Sequence, residues 1–306
     1  MNILVYGAGA LGSYLAHVLT RGGNNVTMLA RGGRFEELQN KGNVIRHYFQ
    51  FRTTVDHVNV IRELQPDDVY DLIFVVMKCP DFQAVLPALA ANRSRHIVLV
   101  GNNATPHDML SELQSNSPVD KQVAFGFETI AGWRQGGRVV SIHGPKLQVI
   151  IGSLGEELAW RSVIDQAFAN TPANVTYERN MEEWLKSHIA LLLPFNSVIR
   201  AYDGQLNKVA KDKELLYRVV DAIDEGHQVL EQLGVTVTPA RQAQLARKRR
   251  SLLFFMLKMV LTLPVGKKIL SDQAVHASEM SALERVFLDW KRQANIPTPN
   301  LDLLIP

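Results

Sequence analysis

The chain has 306 residues, 46% of them hydrophobic and 21% charged, a composition that suits a globular protein with room for two domains, each with its own core. Lys and Arg number 33 against 30 Asp and Glu, so the strongly basic balance of a nucleic-acid binder is excluded. The single cysteine, Cys79, rules out an internal disulfide and fits a reducing, cytoplasmic setting.

Residues 2–6 form a short apolar run that stops at Gly7, as a buried strand does. No basic flank or small-residue cleavage site precedes or follows it, so no targeting segment is expected. Residues 10–19 place Leu11, Leu15, Val18 and Leu19 at helical spacing, and Gly22-Gly23 ends the helix. Residues 25–30 read as a second strand, 72–77 as a third and 97–100 as a fourth, with a helix predicted over 82–90. The run at 72–77 is apolar throughout, as expected where helices cover both sheet faces. This alternation predicts a Rossmann-type, doubly wound, mostly parallel sheet.

Short runs around Val139, Ile142, Val149 and Ile151, punctuated by Gly136-Gly137 and Gly144-Pro145, predict antiparallel strands that close the sheet edge. A helix is expected over 156–168. From about Asn180 only helical patterns remain, at 181–193, 213–233, 239–261 and 276–293, with Thr238 as N-cap and Pro239 in the first turn of the third. The change of period sets a domain boundary near 170–180, before an all-α C-terminal domain. The longest apolar stretch, 252–265, is interrupted by Lys258 and is too short to span a bilayer, so no membrane association is expected. The basic run Arg247-Lys248-Arg249-Arg250 lacks interleaved aromatics and a second cluster. It reads as the solvated face of an amphipathic helix whose apolar face lies on a core or a dimer interface, and not as a nucleic-acid site. The nine histidines show no metal-ligand spacing, and Cys79 reads as a small buried apolar residue.

Gly7-Ala8-Gly9-Ala10-Leu11-Gly12 is a GxGxxG between a strand and a helix, the context that dinucleotide binding requires. Gly7 permits the tight turn, Gly9 lets backbone approach a pyrophosphate, and Gly12 lets helix pack near strand. The helix N-terminus adds free N–H groups and a positive dipole end. About twenty residues on, an NAD site usually carries an acid for the ribose 2′-hydroxyl. Here the chain reads Met28-Leu29-Ala30-Arg31, and the next acid is Glu36. Arg31, with Arg34 as a candidate helper, is suited to a 2′-phosphate, so NADP(H) is the expected cofactor.

These features, together with Phe74-Val75-Val76-Met77-Lys78, Val98-Leu99-Val100-Gly101-Asn102, His143-Gly144-Pro145, Glu183-Trp184-Leu185-Lys186 and the stretch from Glu279 through Asn295-Ile296-Pro297, make the sequence resemble the ketopantoate reductases (2-dehydropantoate 2-reductases) over essentially its whole length. The lysine and asparagine segments are the specific part of the likeness. The resemblance implies an NADP-binding Rossmann-like domain over 1–175 and a helical substrate and dimerisation domain over 176–306. It implies an NADPH-dependent reduction of a small 2-keto acid, as in pantothenate biosynthesis, by a cytoplasmic enzyme that can be a homodimer. By likeness Lys186 is the general acid, Asn102 lies near nicotinamide and substrate, Lys78 lies beside the cofactor and the bound acid, and Glu279 engages the substrate hydroxyl. A ketone oxygen that gains charge on hydride delivery is suited to protonation by such an ammonium.

The substrate side departs from the family. Asparagines expected four and eight residues after the lysine are Ala190 and Pro194, with Asn196 out of register. The asparagine-glycine pair is Asn102-Asn103, and Ser281 and Glu284-Arg285 replace the motif after Glu279. A carboxylate-binding serine is absent from 264–268, where Lys267 can act as a point charge instead. Two alternatives follow. One is a reductase for a bulkier or amine-containing substrate, suggested by Phe127, Glu128 and the apolar helix; the other is a non-catalytic NADPH-binding regulatory protein.

Overall fold

The computed structural model describes residues 1–270 and 273–305, with the backbone alone over 273–276. The chain divides into two compact units, Met1–Met181 and Glu182–Pro306.

The first unit is α/β. Its order is β1 (Asn2–Tyr6), α1 (Ala10–Arg21), β2 (Asn25–Leu29), α2 (Gly33–Lys41), β3 (Asn43–His47), β4 (Arg52–Asp56), β5 (Asn59–Ile61), β6 (Leu72–Val76), α3 (Leu86–Ala91), β7 (His96–Val100), α4 (Pro106–Ser115), β8 (Gln122–Glu128), β9 (Ala131–Gln135), β10 (Arg138–Ile142), β11 (Leu147–Gly152), α5 (Arg161–Phe168) and β12 (Ala173–Glu178). The large sheet runs β12-β11-β8-β7-β6-β1-β2-β5. The six strands from β5 to β8 are all parallel and follow the doubly wound order, with the direction of winding reversing between β1 and β6. Leu72, Ile73, Phe74 and Val75 are fully buried, which contributes roughly 1.5–3 kcal/mol for each large side chain.

The structure corrects several sequence expectations. Strand β11 is antiparallel to β8, but β12 continues the sheet beyond it in parallel. Strands β9 and β10 leave the sheet altogether and join β3 and β4 in a separate four-stranded sheet, ordered β4-β3-β10-β9. The helix expected over 82–90 starts only at Leu86. Pro87 sits in its first turn, where its missing N–H costs nothing, whereas inside a longer helix it would break a bond to the preceding turn. A short 3-10 turn, Cys79–Asp81, fills the gap and leaves Cys79 half-exposed, not buried.

The second unit is helical: α6 (Met181–Ala201, whose first residue belongs to the first unit), α7 (Leu206–Lys211), α8 (Lys213–Gln232), α9 (Ala240–Lys248), α10 (Arg250–Thr262), α11 (Pro264–Leu270), α12 (Gln273–Ala294) and α13 (Pro299–Leu304). The single helix predicted over 239–261 is two, broken at Arg249, and Pro239 stands just outside as N-cap. The basic run faces acids of α8. Arg247 pairs with Asp224 and, through two bonds, with Glu231, while Arg250 pairs with Asp221. The buried carboxylate of Glu225 accepts from the backbone N–H groups of Asn300 and Leu301, which caps α13 from α8. On α10, Phe255, Met256, Met259 and Val260 stay exposed. Among the described residues no helix is long and apolar enough to cross a membrane.

Candidate functional site

The parallel order brings the carboxyl ends of β1, β2, β6, β7 and β8 to one edge of the large sheet. Ligands collect there in doubly wound folds, at the point where the winding reverses. The sequence-predicted residues of the first unit lie on this edge: Gly7–Gly12 after β1, Arg31 after β2, Lys78 after β6 and Asn102 after β7.

The three glycines of the turn differ in kind. Gly7 has φ +123°, and a Cβ there would stand 2.3 Å from the carbonyl oxygen of Val76. A Cβ on Gly12 would stand 2.0 Å from the carbonyl of Gly7. Both are demanded by the protein itself. Gly9 is not: its φ of −69° is ordinary for any residue, and a Cβ would meet nothing within 4 Å. That open space lies over the N-terminus of α1, which has neither a side-chain cap nor an acid in its first turn. Free N–H groups, a positive dipole end and a clear approach fit a phosphate of a dinucleotide.

The two arginines also differ. Arg31 is exposed and donates to the Tyr6 hydroxyl at 3.1 Å. Glu36, the next acid in sequence, is bound by Arg62 at 2.9 Å and does not compete for Arg31. Arg34, considered from sequence as its helper, is buried and turned inward. It donates to the Ala8 carbonyl, to Ser13 Oγ and to Glu37, so it braces the glycine turn from beneath. Gly101, at φ +144°, would place a Cβ 2.3 Å from the Met77 carbonyl. This close approach sets Asn102 next to the segment that carries Lys78. Asn103, which replaces the family's glycine, is buried and accepts from the Thr105 N–H, a structural role at the start of α4.

Sequence reasoning did not place Glu128 in a site of its own. It ends β8, is only 2% exposed, and neither carboxyl oxygen has a hydrogen-bond partner among the described residues. Burial alone pushes its carboxyl up to about 8, because ionisation there would forgo solvation without a compensating charge. The acid lies in the wall of a cavity of about 440 Å³ shared with Leu11, Phe49, Ile130, Ile142 and His143. The signal in sequence was an acid closing the apolar run of β8.

Behind the cavity is a buried imidazole cluster. His143 Nδ1 lies 2.7 Å from the Gly144 carbonyl, and its Nε2 lies 2.9 Å from His47 Nδ1. His47 Nε2 is 2.8 Å from Thr54 Oγ1. These partners assign the Nδ1–H tautomer to both rings and satisfy both as neutral groups. Burial, helped by neighbouring His17, His143 and Arg52, lowers His47 to about 4. Tyr14 packs on His143 with centroids 4.4 Å apart, and burial raises its hydroxyl to about 12. His17 instead pairs with Asp56 at 2.6 Å. Among the described residues no group of acids, histidines and cysteines could hold a metal ion.

In the second unit, Lys186 pairs with Glu182 at 2.8 Å, one helical turn earlier, and its ammonium lies 5.4 Å from the Trp290 ring centre. Both contacts hold the cation. Glu279 is buried on α12, and Lys267 is half-buried on the short helix α11. Ala190, at the first lost asparagine position, is fully buried and faces Gly226 of α8. Pro194 lies inside α6 and removes the N–H that would reach the Ala190 carbonyl. Asn196 donates back to the Leu192 carbonyl.

Comparison with known proteins agrees with this fold. No curated protein matches at the sequence level. Among solved structures, a 2-dehydropantoate 2-reductase from Geobacter metallireducens has a TM-score of 0.78 at 17% identity, covering 100% of this chain and 98% of that one. A D-mandelate dehydrogenase, solved with NADH and anilino(oxo)acetate, has a TM-score of 0.77 at 15% identity, covering 100% and 96%. The 2-dehydropantoate 2-reductase of Methylococcus capsulatus has a TM-score of 0.75 at 18% identity, covering 100% and 94%. At these identities the likeness is one of fold. The family model for ketopantoate reductase PanE/ApbA matches residues 3–156, half the chain and nearly all of the unit that carries the glycine turn, Arg31, Lys78, Asn102 and Glu128, and the chain belongs to that family.

Proposed function

We propose that the protein is an oxidoreductase that uses a nicotinamide dinucleotide, with NADPH preferred, to reduce a small 2-keto acid. The observation that carries this reading is the free space over Gly9 at an uncapped helix N-terminus, in a chain of the ketopantoate reductase family. Gly7 to Gly12 hold the pyrophosphate by backbone N–H groups, and exposed Arg31 pairs with the 2′-phosphate. When bound, the dinucleotide supplies the hydride. Lys186 donates a proton to the substrate oxygen as negative charge builds there. Glu182 and Trp290 keep that ammonium in place. Asn102 orients the keto acid, and Lys78 and Lys267 offer cationic charge to its carboxylate. Glu279 accepts from the substrate hydroxyl.

The packing of Ala190 against α8 favours a second reading within the same chemistry. A polar contact to a hydroxylated substrate is lost, so the acid reduced is more apolar than ketopantoate. The D-mandelate dehydrogenase of similar fold was solved with the aromatic acid anilino(oxo)acetate, which makes such substrates worth testing. A homodimer joined through the exposed apolar residues of α10 accompanies this proposal, and a dimeric ketopantoate reductase from Staphylococcus aureus is among the similar folds.

The test is NADPH oxidation across a panel of branched and aromatic 2-keto acids. At least one is expected to turn over, and Lys186→Ala is expected to abolish turnover while leaving dinucleotide affinity within about twofold, because it removes a contact made in the transition state. Equal turnover by that variant would exclude Lys186 as the acid. Dinucleotide binding without oxidation of any substrate would favour a regulatory protein.

A further inference from the structure

Tyr6 ends a strand whose other buried residues, Ile3, Leu4 and Val5, are aliphatic. It is itself only 3% exposed, so its ring belongs to the core, and a phenylalanine would fill nearly the same volume. The hydroxyl is the part that burial does not explain. A buried phenol keeps its polar tip where that tip finds a partner. Here the partner is Arg31, which donates to the Tyr6 hydroxyl at 3.1 Å. The contact crosses from β1 to the end of β2. The two strands are parallel, with Tyr6 beside Leu29, two residues before Arg31.

The surroundings of Arg31 suit an anion from outside the chain. Its side chain is exposed, and among the described residues no acid pairs with it; Glu36 is taken by Arg62. The space next to it is open, since a Cβ on Gly32 or on Gly33 would meet nothing within 4 Å. A guanidinium has five N–H donors in a planar fork. With one given to Tyr6, the others suffice for a two-point contact to a phosphate. An exposed arginine has many rotamers and loses that freedom when it binds. A bond to a rigid residue of the central sheet removes part of the freedom beforehand, which strengthens binding by pre-organisation.

We propose that Tyr6 is a positioning residue for cofactor choice, its hydroxyl holding the Arg31 guanidinium ready for the 2′-phosphate of NADPH. This rests on the reading of Arg31 as the residue that pairs with that phosphate. Tyr6 acts through Arg31 and does not touch the nucleotide.

Titration of wild type, Tyr6→Phe, Arg31→Ala and the double variant with NADPH and NADH, at one fixed salt concentration, tests this without turnover. Tyr6→Phe keeps the ring in the core and is expected to weaken NADPH by roughly three- to tenfold, the worth of one hydrogen bond, with NADH affinity unchanged. In the Arg31→Ala background the same change is expected to alter neither affinity. Wild-type NADPH affinity in Tyr6→Phe would overturn the proposal. So would an equal loss for NADPH and NADH, which marks a merely structural role. Weaker NADPH binding on adding Tyr6→Phe to Arg31→Ala would overturn the action through the arginine and place the hydroxyl on the nucleotide. A wild-type protein with no preference for NADPH would instead overturn the reading of Arg31, and the proposal with it.

Discussion

Gly9→Ala adds one methyl group where the protein's own atoms leave space. The added carbon meets no heavy atom within 4 Å, and the backbone there has φ −69°, so the fold pays no steric penalty. Stability is expected to stay within about 0.5 kcal/mol of wild type or to rise by roughly 0.4–1 kcal/mol, since alanine restricts the unfolded chain more than glycine does. Binding should behave differently. The methyl group occupies the path by which a phosphate reaches the N–H groups of α1. Charge-assisted hydrogen bonds of this kind contribute about 1.5–3 kcal/mol each, so loss of one weakens the dinucleotide by roughly 10- to 150-fold. Gly7→Ala and Gly12→Ala supply the contrast, because each forces a carbon to within 2.3 Å or 2.0 Å of a backbone carbonyl oxygen and should destabilise the fold itself. Urea midpoints and fluorescence titration with NADPH on the three variants measure both effects. A Gly9→Ala protein that binds as tightly as wild type would refute the argument, and so would one that unfolds as readily as Gly12→Ala.

Further expectations follow from the same geometry. Arg34→Ala should cost about 2–4 kcal/mol, because it removes the buried guanidinium that ties the Ala8 carbonyl, Ser13 and Asn43 together; an unchanged urea midpoint would contradict the bracing role. Glu128 has a folded-state value near 8 against an ordinary 4.5, so the folded protein holds the proton that the unfolded chain releases between these values. Its contribution to stability is lost as pH rises through this window, by roughly 3–4 kcal/mol between pH 5 and 8, and Glu128→Gln should flatten that dependence in paired thermal melts. If α10 joins two copies, Phe255→Asp should shift the sedimentation coefficient to that of a monomer; an unchanged coefficient would place any dimer contact elsewhere.

The legible part of the fold was the part where pattern and burial coincide. Strand β6 is apolar at every position and buried at every position, and α1 follows a glycine turn that the chain cannot build with other residues. Of the second sheet only β10 was legible, as a short buried apolar run, and it was assigned to the edge of the large sheet; β4 and β9 lack such patterns. Residues 52–56 read Arg-Thr-Thr-Val-Asp and are mostly exposed, so no apolar run marks them. Strand β12 alternates at half burial on the sheet's edge, a weak signal beside the helices that follow. The break at Arg249 carries no Gly or Pro, and arginines that favour helix surround it. In the candidate site, the glycine turn was legible because a tight passage from strand to helix demands glycine at fixed spacing, as the carbonyl oxygens facing Gly7 and Gly12 show. Glu128 was singled out in sequence only as a hint of a different substrate, since a buried acid without a hydrogen-bond partner is recognised only when its surroundings are known. The same holds for Ala190, whose meaning lies in its contact with Gly226 on another helix.

The most direct measurement is a calorimetric titration of wild type and Arg31→Ala with NADPH and NADH at one fixed salt concentration. The wild-type protein is expected to bind NADPH at least tenfold more tightly than NADH, and Arg31→Ala to bind both about equally, with its NADH affinity unchanged. Equal affinities in wild type, or a preference that survives the loss of Arg31, would contradict the account.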